Sequence, residues 1–485
     1  MANTWNIQIS APFQGFAPGY FLNTYPVVGN SSMAGSMVDV DISDPVGITQ
    51  GPGLADLTNG TQAGVVTTLM KHILNTPSSD GVTWGIGGNL LYKVEPTTVT
   101  SDGNYPHTID KAAVTDELGE STIHLGDYLY YLYNHSGSAG DIGRLTIATN
   151  TFDDDWGSTV PATGASALED APHPSVIGND GIIYFGNGRY VGYYDPVTDT
   201  MSADELDFWE GAEVVDVDFD NDRLVATVNF PNLGGVNGNI GAVYYWDTVS
   251  SSFDAQPNPR IKGQMGAMYI KDGVVFVWYK KANAQGYSFG QVYGNRVQLI
   301  RNYDGNIPNF GQVTEDSGFI QWVSDDKIYR WGAEDEALGA YMSQYCDGGH
   351  ATVGAIAVPF DELLLASNIT TSYRLAKTSG YTTTSSWKSL NFNVATSQID
   401  EIVIHYEPTA TGSRVDATLR YDRGTKSLSI GDVRHANDGT LVVKNFTPKQ
   451  RVEDFSIELD WSNGSTSNPL KVRKVEVFGH RLERK

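Results

Sequence analysis

A polar turn followed by a short apolar strand recurs seven times along this chain, at a nearly constant spacing. Asp80, Asp127, Asp180, Asp222, Asp272, Asp316 and Asp361 mark the turns, and the steps between them are 47, 53, 42, 50, 44 and 45 residues. A period of about 40 to 50 residues is that of propeller blades, whose repeats can bury their apolar faces only against one another. The strands after the turns are alike. Tyr-Leu-Tyr-Tyr-Leu-Tyr follows Asp127, Gly-Ile-Ile-Tyr-Phe follows Asp180, and Gly-Val-Val-Phe-Val-Trp follows Asp272. Runs this short and this apolar suit strands buried on both faces.

A second strand returns after each loop, as at Leu90-Leu-Tyr-Lys-Val94, Tyr190-Val-Gly-Tyr-Tyr194 and Lys327-Ile-Tyr-Arg-Trp331. Several copies run on into a polar turn and then a large residue. Asp195-Pro-Val-Thr-Asp-Thr-Met201 and Asp247-Thr-Val-Ser-Ser-Ser-Phe253 are the clearest. This layout resembles kelch-type blades in architecture. The 52 glycines and 26 tyrosines fit a chain of turns and short strands. We therefore read residues 62–380 as one β-propeller of seven blades, with six as the alternative count. Residues 1–61 cluster Gly, Pro, Asn and Ser and read as an extended N-terminal arm. Residues 386–485 switch to period-2 strands, as in Glu401-Ile-Val-Ile-His405 and Lys474-Val-Glu-Val-Phe478, and read as a jelly-roll-like β-sandwich. The whole is all-β.

Charge and cysteine content narrow the function. Lys plus Arg is 32 and Asp plus Glu is 57, a net charge of −25. A chain this acidic does not grip nucleic acid by neutralising phosphates, although it can border DNA. Lys471, Arg473, Lys474, Arg481, Arg484 and Lys485 make the C-terminus basic, which suits body-to-tail contact between copies. Cys346 is the only cysteine, so no intrachain disulfide or thiolate zinc site can form within the chain. The N-terminal residues lack a secretory signal pattern, and no run of 18 apolar residues is long enough to span a membrane.

No catalytic, cofactor or metal motif stands out. The nine histidines form no His-x-x-x-His or His-x-His pair, and there is no Gly-x-Ser-x-Gly elbow or phosphate-binding Gly-Lys-Ser/Thr loop. Ser78-Ser-Asp-Gly-Val-Thr-Trp84 falls one residue short of the Asp-box of sialidase-type propellers, and a tight turn accounts for it. Asp216, Asp218 and Asp220 alternate with Val215, Val217 and Phe219, which places the three carboxylates on one strand face. That spacing is compatible with Ca²⁺, but Asn221 stands where an EF-hand needs glycine, and a solvated acidic face is the favoured reading. Tyr and Trp at blade ends could stack on sugars, although inter-blade packing is their commoner use.

The order of parts resembles the tail hub, or nozzle, proteins of short-tailed bacteriophages, also called DNA-stabilisation proteins. The order is an arm with Gly51-Pro-Gly-Leu54, a propeller, and a β-sandwich ending in Val475-Glu-Val-Phe-Gly-His-Arg-Leu482. The resemblance implies a non-enzymatic structural subunit of the virion tail, made in the host cytoplasm. It implies a homo-oligomeric ring, expected to be a hexamer, that contacts portal, adaptor or other tail proteins and lets DNA pass without tight binding or membrane insertion. The alternative expectation is a glycan-binding or glycan-cleaving propeller of a receptor-binding tail fibre, and a third is a plain scaffold propeller. Rings without sugar affinity mark the first, and glycan binding or turnover marks the second.

Overall fold

The computed structural model describes residues 4–10, 14–16, 33–38, 40–41, 48–63, 66–69, 82–110, 117–135, 138–165, 167–231, 239–250, 259–332, 341–347, 352–359, 362–369, 372–382, 384–407, 413–434, 442–461, 467 and 469–482. Strand dominates. The helical elements among these residues are one turn of α-helix at Trp156–Thr159 and a 3-10 turn at Phe310–Gln312. No helix among them is long and apolar enough to cross a membrane.

The repeat is a four-stranded antiparallel meander, as in Glu117–Leu125, Tyr128–His135, Ser138–Thr146 and Thr151–Asp153. The aspartate turns join its first strand to its second. Asp272 and Gly273 both adopt positive φ (52° and 72°), the conformation a two-residue hairpin turn requires. The second strands are buried along most of their length, and wholly so at Phe319–Ser324, because each sheet is covered on both faces by its neighbours. The polar turns that follow the third strands close as Asx turns. Asp195 Oδ1 accepts from the Val197 amide at 2.8 Å, and Asp247 Oδ1 accepts from the Val249 amide at 3.1 Å.

The first strands line an axis. Val66–Leu69, Glu117–Leu125, Ser175–Ile177, Glu213–Asp220, Arg260–Lys271, Val313–Asp316 and Thr352–Ala357 each pack against the next, and the last packs against the first. This is a β-propeller arrangement, but the sheets do not all stand apart as the repeat count led us to expect. Five four-stranded sheets are separate, and one sheet from Glu213 to Tyr303 is continuous over seven strands. The fusion has a local cause. The strand Arg260–Lys271 pairs with Ile240–Trp246 through Arg260, Ile261 and Lys262, then with Val274–Lys281 from Gly263 onward. Gly263 makes the switch at φ 146°, where a Cβ would lie 1.9 Å from the Lys280 carbonyl oxygen. Asp316 also departs from expectation, ending its strand one residue before the turn at Ser317. Asp80 and Asp361 lie outside the described residues.

Aromatic side chains fill the seams between sheets. Trp278 and Trp322 lie 5.4 Å apart, Phe289 lies 4.9 Å from Trp322, and the Trp322 indole N–H donates to the Tyr287 hydroxyl at 2.9 Å. Each such side chain contributes about 1.5–3 kcal/mol by leaving water. The expectation that these rings pack between blades holds for the buried ones, whereas Trp209 remains half exposed.

The N-terminal segment differs from an extended arm. Thr4–Ser10 pairs along its length with Lys471–Arg481, Met33–Val38 pairs with Ser385–Ser389, and Pro52–Ala63 supplies the fourth strand of the last propeller sheet. The segment is stranded because it meets exposed sheet edges contributed by the far end of the chain. The C-terminal strands form one branched ten-stranded sheet with Thr4–Ser10, Gln14–Phe16 and Met33–Val38, around a core that includes Trp387, Phe455 and Trp461. Arg330 joins the two regions through an ion pair with Asp41 at 2.6 Å.

The basic end is partly neutralised within the sheet. Arg473 ion-pairs with Glu407, Lys471 lies 3.9 Å from Glu407, and Lys474 lies 2.8 Å from Glu476. These three are therefore not the free tail charges that the composition suggested, while Arg484 and Lys485 lie outside the described residues. A Gly263→Ala substitution adds both a left-handed strain and a backbone clash. Urea unfolding is expected to show a loss of about 1–3 kcal/mol, while Gly103→Ala, where a Cβ meets nothing within 4 Å, leaves the midpoint unchanged.

Candidate functional site

Five of the inner strands around the axis border an open cavity of about 550 Å³. Its wall comes from the first strands of consecutive repeats, with Phe310 of the 3-10 turn at one side. That turn is fixed by Asn309, whose side chain accepts from the Gly311 amide at 3.0 Å. Gln312 Nε2 also donates to the Val353 carbonyl at 2.6 Å. The wall mixes apolar side chains such as Ile177 and Ile270 with polar ones: Ser121, Ser175, Asp216, Asp218, Tyr269 and Glu315 all reach it.

These strands carry polar residues at the axis because their hydroxyls and carboxylates stitch one repeat to the next. Asp216, only 3% exposed, accepts from its neighbour's amide at Val217 (2.9 Å) and from the Met268 amide of the next inner strand (2.8 Å). Asp218 repeats the pattern with the amides of Phe219 (2.8 Å) and Ile270 (3.3 Å). The Ser175 hydroxyl donates to that of Ser121 at 3.0 Å across another seam. A backbone N–H buried away from water needs such a partner.

Glu315 is the centre of a second set. The Tyr269 hydroxyl donates to Glu315 Oε2 at 3.0 Å, Lys271 Nζ ion-pairs with Oε1, and the same ammonium donates to the Gly318 carbonyl at 3.0 Å. Burial, followed by the Glu315 charge, pushes the Tyr269 phenol up, so it stays a donor at neutral pH. Lys271 holds Glu315 from one side and Tyr269 holds it from the other.

The structure keeps the three aspartates at alternate positions of one strand, paired with Thr227, Val225 and Arg223, but gives them different surroundings. Asp216 and Asp218 reach the cavity wall, and the strand's bulge falls ahead of them, between Val214 and Asp216. Asp220 lies at the turn, where it accepts from Asn221 Nδ2 at 3.0 Å. The solvated acidic face is thus corrected for Asp216, whose charge is buried against backbone amides. No cluster of three or more His, Cys, Asp or Glu residues able to hold a metal occurs among the described residues.

Sequence reasoning did not single out Ser121, Ser175, Tyr269, Lys271 or Glu315. The signal was present, because each lies in the strand just ahead of a repeat-marking aspartate. Tyr269 and Lys271 precede Asp272, and Glu315 precedes Asp316.

No family model and no curated protein matches the chain. Among solved structures, it is similar to the extracellular domain of a putative hybrid two-component system from B. thetaiotaomicron. The identity is 10% and the TM-score 0.46, covering 74% of this chain and 44% of that one. It is also similar to a glycoside hydrolase family 43 arabinoxylan arabinofuranohydrolase from Bacillus subtilis, at 11% identity and TM-score 0.32, covering 87% and 96%. A third likeness is to an exo-beta-1,3-galactanase from Phanerochaete chrysosporium, at 10% identity and TM-score 0.28, covering 66% and 98%. No residue role is transferred from likenesses this distant.

Replacing Asp216 with Ala leaves the Val217 and Met268 amides without that acceptor. Denaturant titration should show a loss of about 1–3 kcal/mol for each buried N–H. A chelator should leave the wild-type melting temperature unchanged, whereas a fall would identify a bound cation in place of the amide clip.

Proposed function

We propose that this chain is a carbohydrate-binding β-propeller whose ligand occupies the axial cavity. The supporting observation is the wall itself. Hydroxyls of Ser121, Ser175 and Tyr269 stand beside the carboxylates of Asp218 and Glu315 around about 550 Å³. That volume lies within the roughly 300–1,000 Å³ of small-molecule sites. Neighbouring donors and acceptors of this kind match the hydroxyl pattern of a sugar ring. We count the fused sheet as two wedges sharing one strand, which makes seven around the axis. We also read the branched C-terminal sheet as a jelly-roll variant.

Binding is favoured over cleavage. Glycoside hydrolysis needs one carboxyl group free to give up a proton and a second free to attack or to activate water. Here Asp216 and Asp218 are fastened to backbone amides, and Glu315 to Lys271 and Tyr269. Acidic residues outnumber basic ones along the wall, which disfavours uronic acids and sialic acids and favours neutral or basic sugars.

A glycan array followed by calorimetry on the full chain tests the reading. A neutral or amino saccharide should bind, and Tyr269→Phe combined with Glu315→Gln should weaken it at least about tenfold, equivalent to about 1.4 kcal/mol. Absence of binding to any saccharide, with rings in electron micrographs, would overturn it in favour of a tail-hub subunit. Turnover of a bound glycan would overturn the preference for binding alone.

A further inference from the structure

The seam between the second and third sheets holds a chain of polar side chains, buried at His173 and Asn134 and half-buried at Glu120. His173 is 0% exposed. Its Nδ1 lies 2.9 Å from the Gly186 carbonyl oxygen, and its Nε2 lies 2.7 Å from Asn134 Oδ1. Asn134 Nδ2 in turn donates to the Ala171 carbonyl at 2.7 Å and to Glu120 Oε1 at 3.2 Å.

A neutral imidazole has one N–H and one lone pair. Nδ1 faces a carbonyl oxygen and must donate. A neutral His173 therefore needs a donor opposite Nε2, which means turning the Asn134 amide round. Turned, the amide oxygen would face both the Ala171 carbonyl and a Glu120 oxygen. A protonated Glu120 could satisfy one of these contacts, but the carbonyl would still oppose the other. The Ala171 carbonyl thus fixes the orientation of Asn134 through the hydrogen-bond network, which is how such amides are assigned. The ring is left with oxygen acceptors on both sides.

We propose that His173, Asn134 and Glu120 form a charge relay running from the buried imidazole to a half-buried carboxylate, in which His173 donates from both ring nitrogens and Glu120 carries the opposing charge through the Asn134 amide. The proton that Glu120 lacks is balanced by the second proton on His173, so the set is neutral as a whole. A buried charge survives where it is paired and hydrogen-bonded. Burial works against the arrangement, pushing the imidazole down to about 4 and the Glu120 carboxyl up to about 7. The Gly186 and Glu169 carbonyls and the Asp170 charge favour the imidazolium, and the Asn134 amide favours the Glu120 carboxylate, while Asp170 opposes that carboxylate.

The other charged or titratable groups at this seam are His135, next along the strand from Asn134, Glu169 and Asp170 on the connecting segment, and Arg189. Arg189 pairs with Asp207 at 3.1 Å and feels Glu169. The relay backs directly onto the cavity. Ser121 follows Glu120, Ser175 lies two residues beyond His173, and their hydroxyls are bonded to each other. The relay stands whatever ligand the cavity takes.

Nitrogen-15 NMR of the histidine-labelled full chain at pH 7 tests the relay, with His173 identified by contacts between its ring and the Asn134 amide. Both ring nitrogens should carry slowly exchanging protons, and a single protonated nitrogen would overturn the proposal. Glu120→Gln keeps the shape and an acceptor for Asn134 but removes the charge. It should lower the His173 titration midpoint by at least about one pH unit, a tenfold loss of proton affinity. An unchanged midpoint would overturn the pairing with Glu120. The measurement on the unmodified chain decides the protonation state even where the variant does not fold.

Discussion

A strand that is apolar on both faces is stable only between two others, and a series of such sheets is stable only if it closes. That constraint organises the whole molecule. The chain meets it by returning its own N-terminal segment, so that Pro52–Ala63 completes the sheet containing Ser372–Tyr381. Closure places first and last repeats in contact and removes the exposed edge that would otherwise invite a second chain. It also brings Thr4–Ser10 alongside Lys471–Arg481, so the C-terminal sheet depends on residues more than 450 positions away. Both ends of the chain are thereby committed to the same fold.

At the axis the constraint changes sign. Inner strands converge there, and side chains cannot fill the centre without leaving backbone amides of neighbouring strands unpaired. Asp216 and Asp218 resolve this by reaching sideways to the Met268 and Ile270 amides. The same residues give the cavity its acidic wall. Structure and prospective binding surface are therefore one set of atoms, which explains why the carboxylates here are so fully occupied by donors. The relay from His173 to Glu120 is a further case of a polar seam between repeats, buried at its His173 end.

The regular spacing of aspartate turns made the repeats legible, as did the apolar strands after them and the Asx turns at Asp195 and Asp247. Each is a local signal: a turn residue, a period, a short apolar run. The cavity was far less legible. Tyr269, Lys271 and Glu315 lie two to forty-six residues apart in the chain, and only the radial stacking of repeats sets them side by side. Asp216 and Asp218 stand out for their alternation, but the Met268 and Ile270 amides they also bind belong to another strand. The fused sheet was equally hidden, because it depends on one glycine changing partners midway along a strand. The pairing of the N-terminal segment was invisible for the same reason, since its partners are at the opposite end.

By itself the sequence determined that this chain is all-β, that it is built from repeats of nearly fixed length, and that it carries no disulfide within the chain. Those properties follow from composition and from interactions between near neighbours. Only the tertiary structure decided which sheets merge, which strands close the ring, and which polar side chains meet at the axis. Those outcomes depend on contacts between residues far apart in sequence. Such contacts carry no periodic signature, because the geometry that joins them exists only once the ring has formed.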